Sequence, residues 1–239
     1  MQKDYTQITE FIDKKINETI HTDFYGKLAL YLTNDKDLAK MIEKSVHLGA
    51  RIVMFFDRYM EIKEEIFKDA YEQSKIDLLE ACPTLNKKSL EEIYNNTIGP
   101  FWNYEKSLLT REEFNFETRE EYSRMKSSDV PFYLAITEEF IKVPEKFQNS
   151  FRALQRVNDI YDDLIDLDED IQEDSPNLVL LFDKEYKNIK DLNSQNIEEI
   201  LDRMNRMIDI VNGNKELPFL VEEVDIYKKN ILSLLSCNR

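Results

Sequence analysis

The chain has 239 residues and a formal net charge of −16 at pH 7, from 48 acidic and 32 basic side chains. This charge argues against a duplex nucleic-acid surface and against anchoring to an anionic membrane, since both would repel it. Only 4 residues are glycine, and they stand far apart, so no glycine-rich phosphate loop can form. P-loop NTPases and Rossmann dehydrogenases are therefore excluded. The scarcity of glycine and proline favours an all-α fold.

The predicted helices begin with a proline-free segment, residues 35–80, whose apolar spacing predicts one long helix or a kinked pair. Beyond it, Gly99 with Pro100 and the other prolines are expected to separate the helices. Capping boxes are predicted where Ser89 precedes Glu92 and where Thr118 precedes Glu121. Helices are predicted over residues 132–143 and 145–171. We expect a single domain, residues 1–239, forming a bundle of about eight to ten helices around a pocket.

The small numbers of histidine and cysteine residues restrict the metal sites and disulfides that the chain can form. Two histidines and two cysteines cannot build a multi-His zinc site or a disulfide framework. Any metal would be held by oxygen, as hard cations such as Mg²⁺ are. The sequence has neither a long uncharged apolar run nor an apolar signal core at its N-terminus. We therefore expect a soluble, cytoplasmic protein without stable membrane insertion.

The most informative stretch is LQRVNDIYDDLIDLDEDIQEDSPN, residues 154–177, with nine acids and no base between Asp159 and Asp174. Asn158, Asp162 and Asp166 recur every fourth residue and so share one face of a helix. Like charges at this spacing repel by a few tenths of a kcal/mol per pair, which indicates that a cation neutralises them. One amide and two carboxylates can seat a divalent ion. The alternative is a solvated acidic helix.

NDIYDDLID, residues 158–166, resembles the second metal motif of class I terpene cyclases, N-D-x-x-S-x-x-x-E. It is also similar to the N-x-x-x-D-x-x-x-D signature of squalene and phytoene synthases. Residues 162–166 resemble the D-D-x-x-D of chain-elongating prenyltransferases. The resemblance implies the class I terpenoid synthase fold, an all-α bundle around a central cavity. It also implies that Asn158, Asp162 and Asp166 hold a metal ion.

VMFFDRYME, residues 53–61, resembles the aromatic, acidic first motif of the same family. Asp57 and Glu61 match its first and last acids and are implied to hold metal. Arg58 stands where the family usually has a second Asp. The alternative is a surface pair of acids.

EEYSRMKSSDVPFYLA, residues 120–135, resembles the cyclase region E-Y-x-x-x-R-x-x-D-G-x-x-x-Y-L. The resemblance implies that Lys126 senses the diphosphate, that Asp129 links it to a break in the helix, and that Val130 is the effector position. Arg124 is the substitute sensor, and an exposed helix-end lysine is the alternative for Lys126. Arg239 falls where cyclases place an arginine that closes over the diphosphate, although the tyrosine of their Arg-Tyr pair is missing.

The resemblance implies a Mg²⁺-dependent terpene cyclase that ionises a linear prenyl diphosphate, with three Mg²⁺ ions in the loaded site and Mn²⁺ as an alternative metal. The carbocation would need a water-free chamber lined by aromatic side chains. Candidates near the acidic motifs are Phe55, Phe56, Tyr59, Phe132, Tyr133 and Tyr161, with plain core packing as the alternative.

Two other readings stay open. One is a prenyl-condensing synthase, elongating or head-to-head, against which Arg58 and the lack of a basic cluster near the N-terminal helices count. The other is a non-catalytic helical partner that retains the fold. A homodimer is compatible with any of them.

Overall fold

The computed structural model describes residues 5–109 and 114–236, apart from the side chains of Glu18, Glu61 and Leu109. Within these residues the chain is helical and contains no β-strand, which confirms the prediction of an all-α protein. None of the described helices combines the length and the apolar character that crossing a bilayer requires.

The described residues form helices that follow one another along the chain. They are α1 (Tyr5–Thr19), α2 (Thr22–Thr33), α3 (Lys36–Ile62), α4 (Glu65–Ala81), α5 (Lys87–Leu109), α6 (Phe116–Lys126), α7 (Asp129–Glu138), α8 (Glu145–Ile165), α9 (Leu167–Glu173), a 3₁₀-helix (Ile189–Asp191), α10 (Ser194–Asn212) and α11 (Pro218–Ser236).

The chain forms two compact units. The first comprises Met1–Ile98 with Pro131–Val143, and the second comprises Gly99–Val130 with Pro144–Arg239. That both belong to one domain stays a prediction.

In the first unit, α3 packs against α1, α2 and α4. Gly49 of α3 lies against α7, where a Cβ atom would stand 2.5 Å from Ile136 Cδ1. Phe55 and Phe132 are fully buried in this core. The small residue therefore permits the close approach of the two helices.

The proline-free segment forms two helices, α3 and α4, so the predicted pair is confirmed over the single long helix. Lys63 ends α3 in the left-handed conformation, with φ 60°, and its backbone N–H donates to the Tyr59 carbonyl at 2.9 Å. Residues that end a helix in the left-handed conformation are usually glycine or asparagine, so the lysine at position 63 did not predict a helix end.

Two predicted boundaries are wrong. Helix α5 runs through Pro100 instead of breaking there, and the two units divide at the same place, between Ile98 and Gly99. The helix predicted to reach residue 143 ends as α7 at Glu138. Pro100 lacks only one backbone donor, so the rest of a long helix can carry it as a local defect.

Both predicted capping boxes are also wrong, by the same shift of three residues. Asn86 Oδ1 accepts a hydrogen bond from the Ser89 backbone N–H at 3.0 Å, and Asn115 Oδ1 accepts one from Thr118 at 2.8 Å. Ser89 and Thr118 therefore lie inside the first turns of α5 and α6. Asparagine caps a helix as well as serine does, and in both helices the asparagine three residues upstream is the N-cap.

In the second unit, α8 packs against α6, α9, α10 and α11. Residues from Val157 to Ile160 are all buried, so this part of α8 is covered on every side. The predicted helix over residues 145–171 is divided into α8 and α9, with Asp166 at the junction.

A network of ion pairs fastens α6 to α10. Arg119 binds the Glu199 carboxylate with two nitrogens, at 2.8 and 2.7 Å. Arg203, only 3% exposed, lies between Glu199 and Glu120. These pairs fix the position of α6 and therefore of Lys126 at its C-terminal end.

Candidate metal and diphosphate site

The break between α6 and α7 lies against α8. Helix α6 ends at Lys126, α7 begins at Asp129, and the two serines between them are outside both helices. The Ser127 hydroxyl donates to the Asp159 carboxylate, which also accepts a hydrogen bond from Gln155 Nε2 at 2.9 Å. Asp159 is 5% exposed and fully engaged. The break is thus anchored to the acidic motif.

Lys126 forms an ion pair with Asp163, at 2.7 Å between Nζ and Oδ1. The Asp163 side chain is 3% exposed and that of Lys126 is 25% exposed. Burial by itself lowers the pKa of Lys126, but Asp163, with Tyr122 and Asp159, raises that pKa well above its usual range. The ammonium is therefore charged at any physiological pH.

Two further groups hold Asp163 in place. The Tyr122 hydroxyl, which is buried, lies 3.3 Å from Asp163 Oδ1 and donates to the Pro176 carbonyl at 2.8 Å. Asn177, also buried, donates from Nδ2 to the Asp163 carbonyl and to Asp170 Oδ2, each at 2.7 Å. The segment that follows α9 is thereby tied to the acidic motif.

The predicted metal ligands lie on successive turns of α8, as expected from their spacing. Asn158 is buried, Asp162 is half-buried and Asp166 is exposed at the end of the helix. Asn158 Nδ2 donates to Asp162 Oδ2 at 3.0 Å. Among residues 5–109 and 114–236, no three His, Cys, Asp or Glu side chains form a group fit to hold a metal ion. The predicted set differs from such a group because one of its three ligands, Asn158, is an amide. That Asn158, Asp162 and Asp166 together bind a metal ion stays a prediction.

The site carries more negative charge than Lys126 can balance. Burial, reinforced by Asp159, raises the pKa of both Asp162 and Asp129 to about 7. Burial also raises the pKa of Asp170 to about 6, although its hydrogen bond from Asn177 acts against this. Carboxylates that resist ionisation in this way would be stabilised by a bound cation. That a hard divalent metal binds these carboxylates stays a prediction.

Asp129 lies at the start of α7, where its Oδ1 accepts the Val130 backbone N–H at 2.9 Å. Val130 is buried. Lys126 and Asp129 thus flank a helix break, as the resemblance implied, and Val130 lies in the first turn of α7. Arg124, the substitute sensor, is exposed and pairs with Glu121 at 3.5 Å. Lys126 is therefore the cation that the structure brings to the acidic motif.

The first motif lies in the last turns of α3, in the first unit. Asp57 and Arg58 are half-buried there, and the side chain of Glu61 lies outside the described residues. The second motif belongs to the second unit. That the two motifs share one metal cluster stays a prediction.

Arg239 lies outside the described residues. Helix α11 ends three residues before it, at Ser236. Ser233 and Leu234 of α11 line a groove of about 580 Å³ together with Ile165 and Leu167, which flank Asp166. The C-terminal end of α11 is therefore next to the end of the acidic motif.

The aromatic residues near the motifs are divided between core and contact clusters. Phe55, Phe132 and Tyr133 are core residues. Phe56 packs on the rings of Tyr71 and Tyr94, with centroids 5.3 and 5.7 Å apart. A chamber lined by these rings stays a prediction.

Sequence reasoning missed the groups that bind Asp159 and Asp163. Ser127, Tyr122 and Asn177 all contact these two acids or their backbone. The sequence did contain one signal for these contacts. Asp159 and Asp163 are four residues apart, like Asp162 and Asp166, and so form a second row of acids along α8. Both rows have the same spacing, and the sequence did not say which one is covered.

The raised pKa values predict how the metal-free protein responds to pH. An unfolded Asp titrates near pH 4, so between about pH 4 and 7 the folded state binds more protons than the unfolded state. Stability should therefore fall as pH rises through this window. In EDTA we expect the melting temperature to drop by about 5 °C, or roughly 2 kcal/mol for a chain of this size. Thermal melts monitored by circular dichroism check this, and a melting temperature that rises across the window would contradict it.

Comparison with protein-family models finds no match to the chain, and no curated protein or solved structure matches it at significance. The function is therefore inferred from the geometry of the acidic motif and from the motif resemblance.

Proposed function

We propose that the protein is a Mg²⁺-dependent class I terpene synthase, which ionises a linear prenyl diphosphate and cyclises or rearranges the carbocation. The observation that carries this proposal is the contact between the α6–α7 break and the acidic motif of α8. Lys126 and Ser127 reach Asp163 and Asp159 directly, beside the row that contains Asp162. A cation, a helix break and an excess of carboxylates thus occur together at one place.

Each group has a chemical part in this proposal. Asn158, Asp162 and Asp166 would hold Mg²⁺, which when bound neutralises the charge of the departing diphosphate. Lys126, positioned by Asp163, would donate a charged hydrogen bond to a diphosphate oxygen. The allylic carbon–oxygen bond breaks, its electron pair leaves with the diphosphate, and the chain must exclude water from the cation.

The proposal is tested by incubating the purified full chain with Mg²⁺ and the ten-, fifteen- and twenty-carbon prenyl diphosphates. Gas chromatography with mass spectrometry should detect a hydrocarbon or alcohol, and a phosphate assay should detect equal amounts of diphosphate. A longer prenyl diphosphate formed on adding isopentenyl diphosphate would point to a condensing synthase instead. With no turnover of any substrate, the non-catalytic reading takes precedence.

Metal binding can be measured without turnover. Mg²⁺ together with inorganic diphosphate should raise the melting temperature by mass action far more than either one alone, because each completes the coordination of the other. We expect a shift of about 5 °C at concentrations 100-fold above the dissociation constant. Equal shifts from Mg²⁺ alone and from the pair would favour a solvated acidic surface.

The first motif gives a separate prediction. If Asp57 holds metal, Asp57→Ala should lower kcat/KM by about thirtyfold or more, since metal-held charge is a large part of such catalysis. Arg58→Ala tests whether the guanidinium binds the diphosphate, in which case KM rises while kcat changes little. Asp69→Ala on α4 is the control carboxylate, and full activity of both Asp57→Ala and Glu61→Ala would restrict ionisation to the second motif.

A further inference from the structure

All six basic side chains of α3 lie on one side of this helix. They are Lys36, Lys40, Lys44, His47, Arg51 and Arg58, called here the basic stripe. At about 100° per residue they fall within a sector of about 80°. In a chain with a net charge of −16, this alignment gathers cations on one face.

The middle of the basic stripe forms one wall of a groove in the first unit. The groove has a volume of about 370 Å³. Its lining residues are Asn17 of α1, Thr22 of α2, and Lys40, Glu43, Lys44, His47, Leu48 and Arg51 of α3. Cations, neutral hydrogen-bonding groups and one acid, Glu43, thus surround a concave space.

The inner end of the wall is fixed by Asp13 of α1. Arg51 Nε and Nη2 each lie 2.5 Å from an oxygen of the Asp13 carboxylate, and His47 Nε2 lies 3.0 Å from Oδ1. Asp13 therefore compensates the charge of Arg51 while holding both side chains in position.

The positive charges of Lys40 and Lys44 are not compensated by an acid in this way. Both are exposed, and neither has an ion-pair partner in the described part of the chain. Glu43 is the one acid among the lining residues, and its Oε2 lies against α2, 3.0 Å from the point where a Gly26 Cβ would stand. With Asp13 included and His47 neutral, the groove keeps a net charge of +1.

We infer that this groove binds a phosphate-bearing anion, and that it does so without a metal ion. Lysine ammonium groups bind phosphate as point charges, and Asn17 and Thr22 offer neutral donors within the same groove. A free diphosphate and a phospholipid headgroup share this chemistry. The inference stands apart from the proposed function, because the groove uses ammonium groups where the metal site uses carboxylates. The basic stripe also corrects the sequence expectation that the N-terminal helices lack a basic cluster.

The test is isothermal titration calorimetry of the full chain with inorganic diphosphate in EDTA. We expect saturable binding at one site, weakened at least tenfold by Lys40→Glu with Lys44→Glu. Lys87→Glu with Lys88→Glu, which changes two exposed lysines of α5 and the net charge equally, should bind as the wild type does. Glu43→Gln should tighten binding severalfold.

Two further experiments complete the test. The first distinguishes binding in the groove from binding at the metal site, and the second distinguishes a phospholipid headgroup from free diphosphate. Asp162→Asn with Asp166→Asn should leave metal-free binding unchanged, whatever it does to turnover. Co-sedimentation with phosphatidylglycerol and phosphatidylcholine vesicles tests the headgroup, with Lys40→Glu and Lys44→Glu expected to abolish any binding to the anionic vesicles. Circular dichroism confirms that each variant is folded. The inference is overturned if neither diphosphate nor anionic vesicles bind, or if the groove and control variants bind equally.

Discussion

Replacing Asp162 and Asp166 together by asparagine is expected to lower the release of diphosphate by about 100-fold or more, while the fold becomes more stable. The loss of activity follows because the metal-held charge that stabilises the leaving group would be removed. The gain in stability follows because burial already disfavours the ionised form of Asp162, whose pKa is about 7. Asp166 makes no capping hydrogen bond with its side chain, so its replacement removes no cap.

The control for this double variant is Asp168→Asn with Glu169→Gln. Both control residues are exposed in the first turn of α9, close to the motif, and their replacement changes the net charge by the same amount. The control should keep its turnover, measured with the same substrate and Mg²⁺ concentration. Unchanged turnover in the Asp162 and Asp166 variant would falsify the assignment of the metal site.

Lys126→Met is expected to lower the stability of the protein by about 3 kcal/mol, since it leaves the buried Asp163 carboxylate without its counter-ion. For a chain of this length, this corresponds to a fall of roughly 6–12 °C in melting temperature. Tyr122 and Asn177 stay in contact with Asp163 and its backbone, but neither supplies a positive charge. Lys126→Arg keeps the charge and should cost much less.

A double-mutant cycle separates the ion pair from other effects of the substitution. Adding Asp163→Asn to Lys126→Met removes the unpaired charge and should recover most of the lost stability. Asp163→Asn alone should cost less than Lys126→Met alone, because the Lys126 side chain is 25% exposed and can be hydrated. Chemical denaturation of the four proteins measures the coupling. A Lys126→Met variant as stable as the wild type would show that the pair does not hold the α6–α7 break.

These two predictions concern different rows of the same helix. The Asp162 row carries the proposed metal chemistry, whereas the Asp163 row carries the structure that positions Lys126. Turnover should therefore respond most strongly to the first pair of substitutions, and stability to the second. This division also distinguishes a catalytic site from an acidic helix that merely pairs with α6.

Composition and helical spacing were sufficient to predict that the protein is helical and that Asn158, Asp162 and Asp166 lie along one side of a helix. Both results depend only on local properties, namely the scarcity of glycine and proline and the return of a helix to the same face about every four residues. Lys126, Asp129 and Val130 lie close together because they are neighbours in the chain, and the helix break between Lys126 and Asp129 was implied only by the motif resemblance.

Which acids are buried depends on contacts between helices that are far apart in the sequence. Asp159 and Asp163 are four residues apart, and the row that contains Asp162 has the same spacing, so periodicity could not tell which of the two rows is the more buried. Helix α6 covers the inner row through the contact of Lys126 with Asp163, 37 residues along the chain. Likewise, Arg119 and Glu199 meet across 80 residues to hold α6 in place. Such contacts depend on how helices pack, and no local pattern in the sequence specifies them.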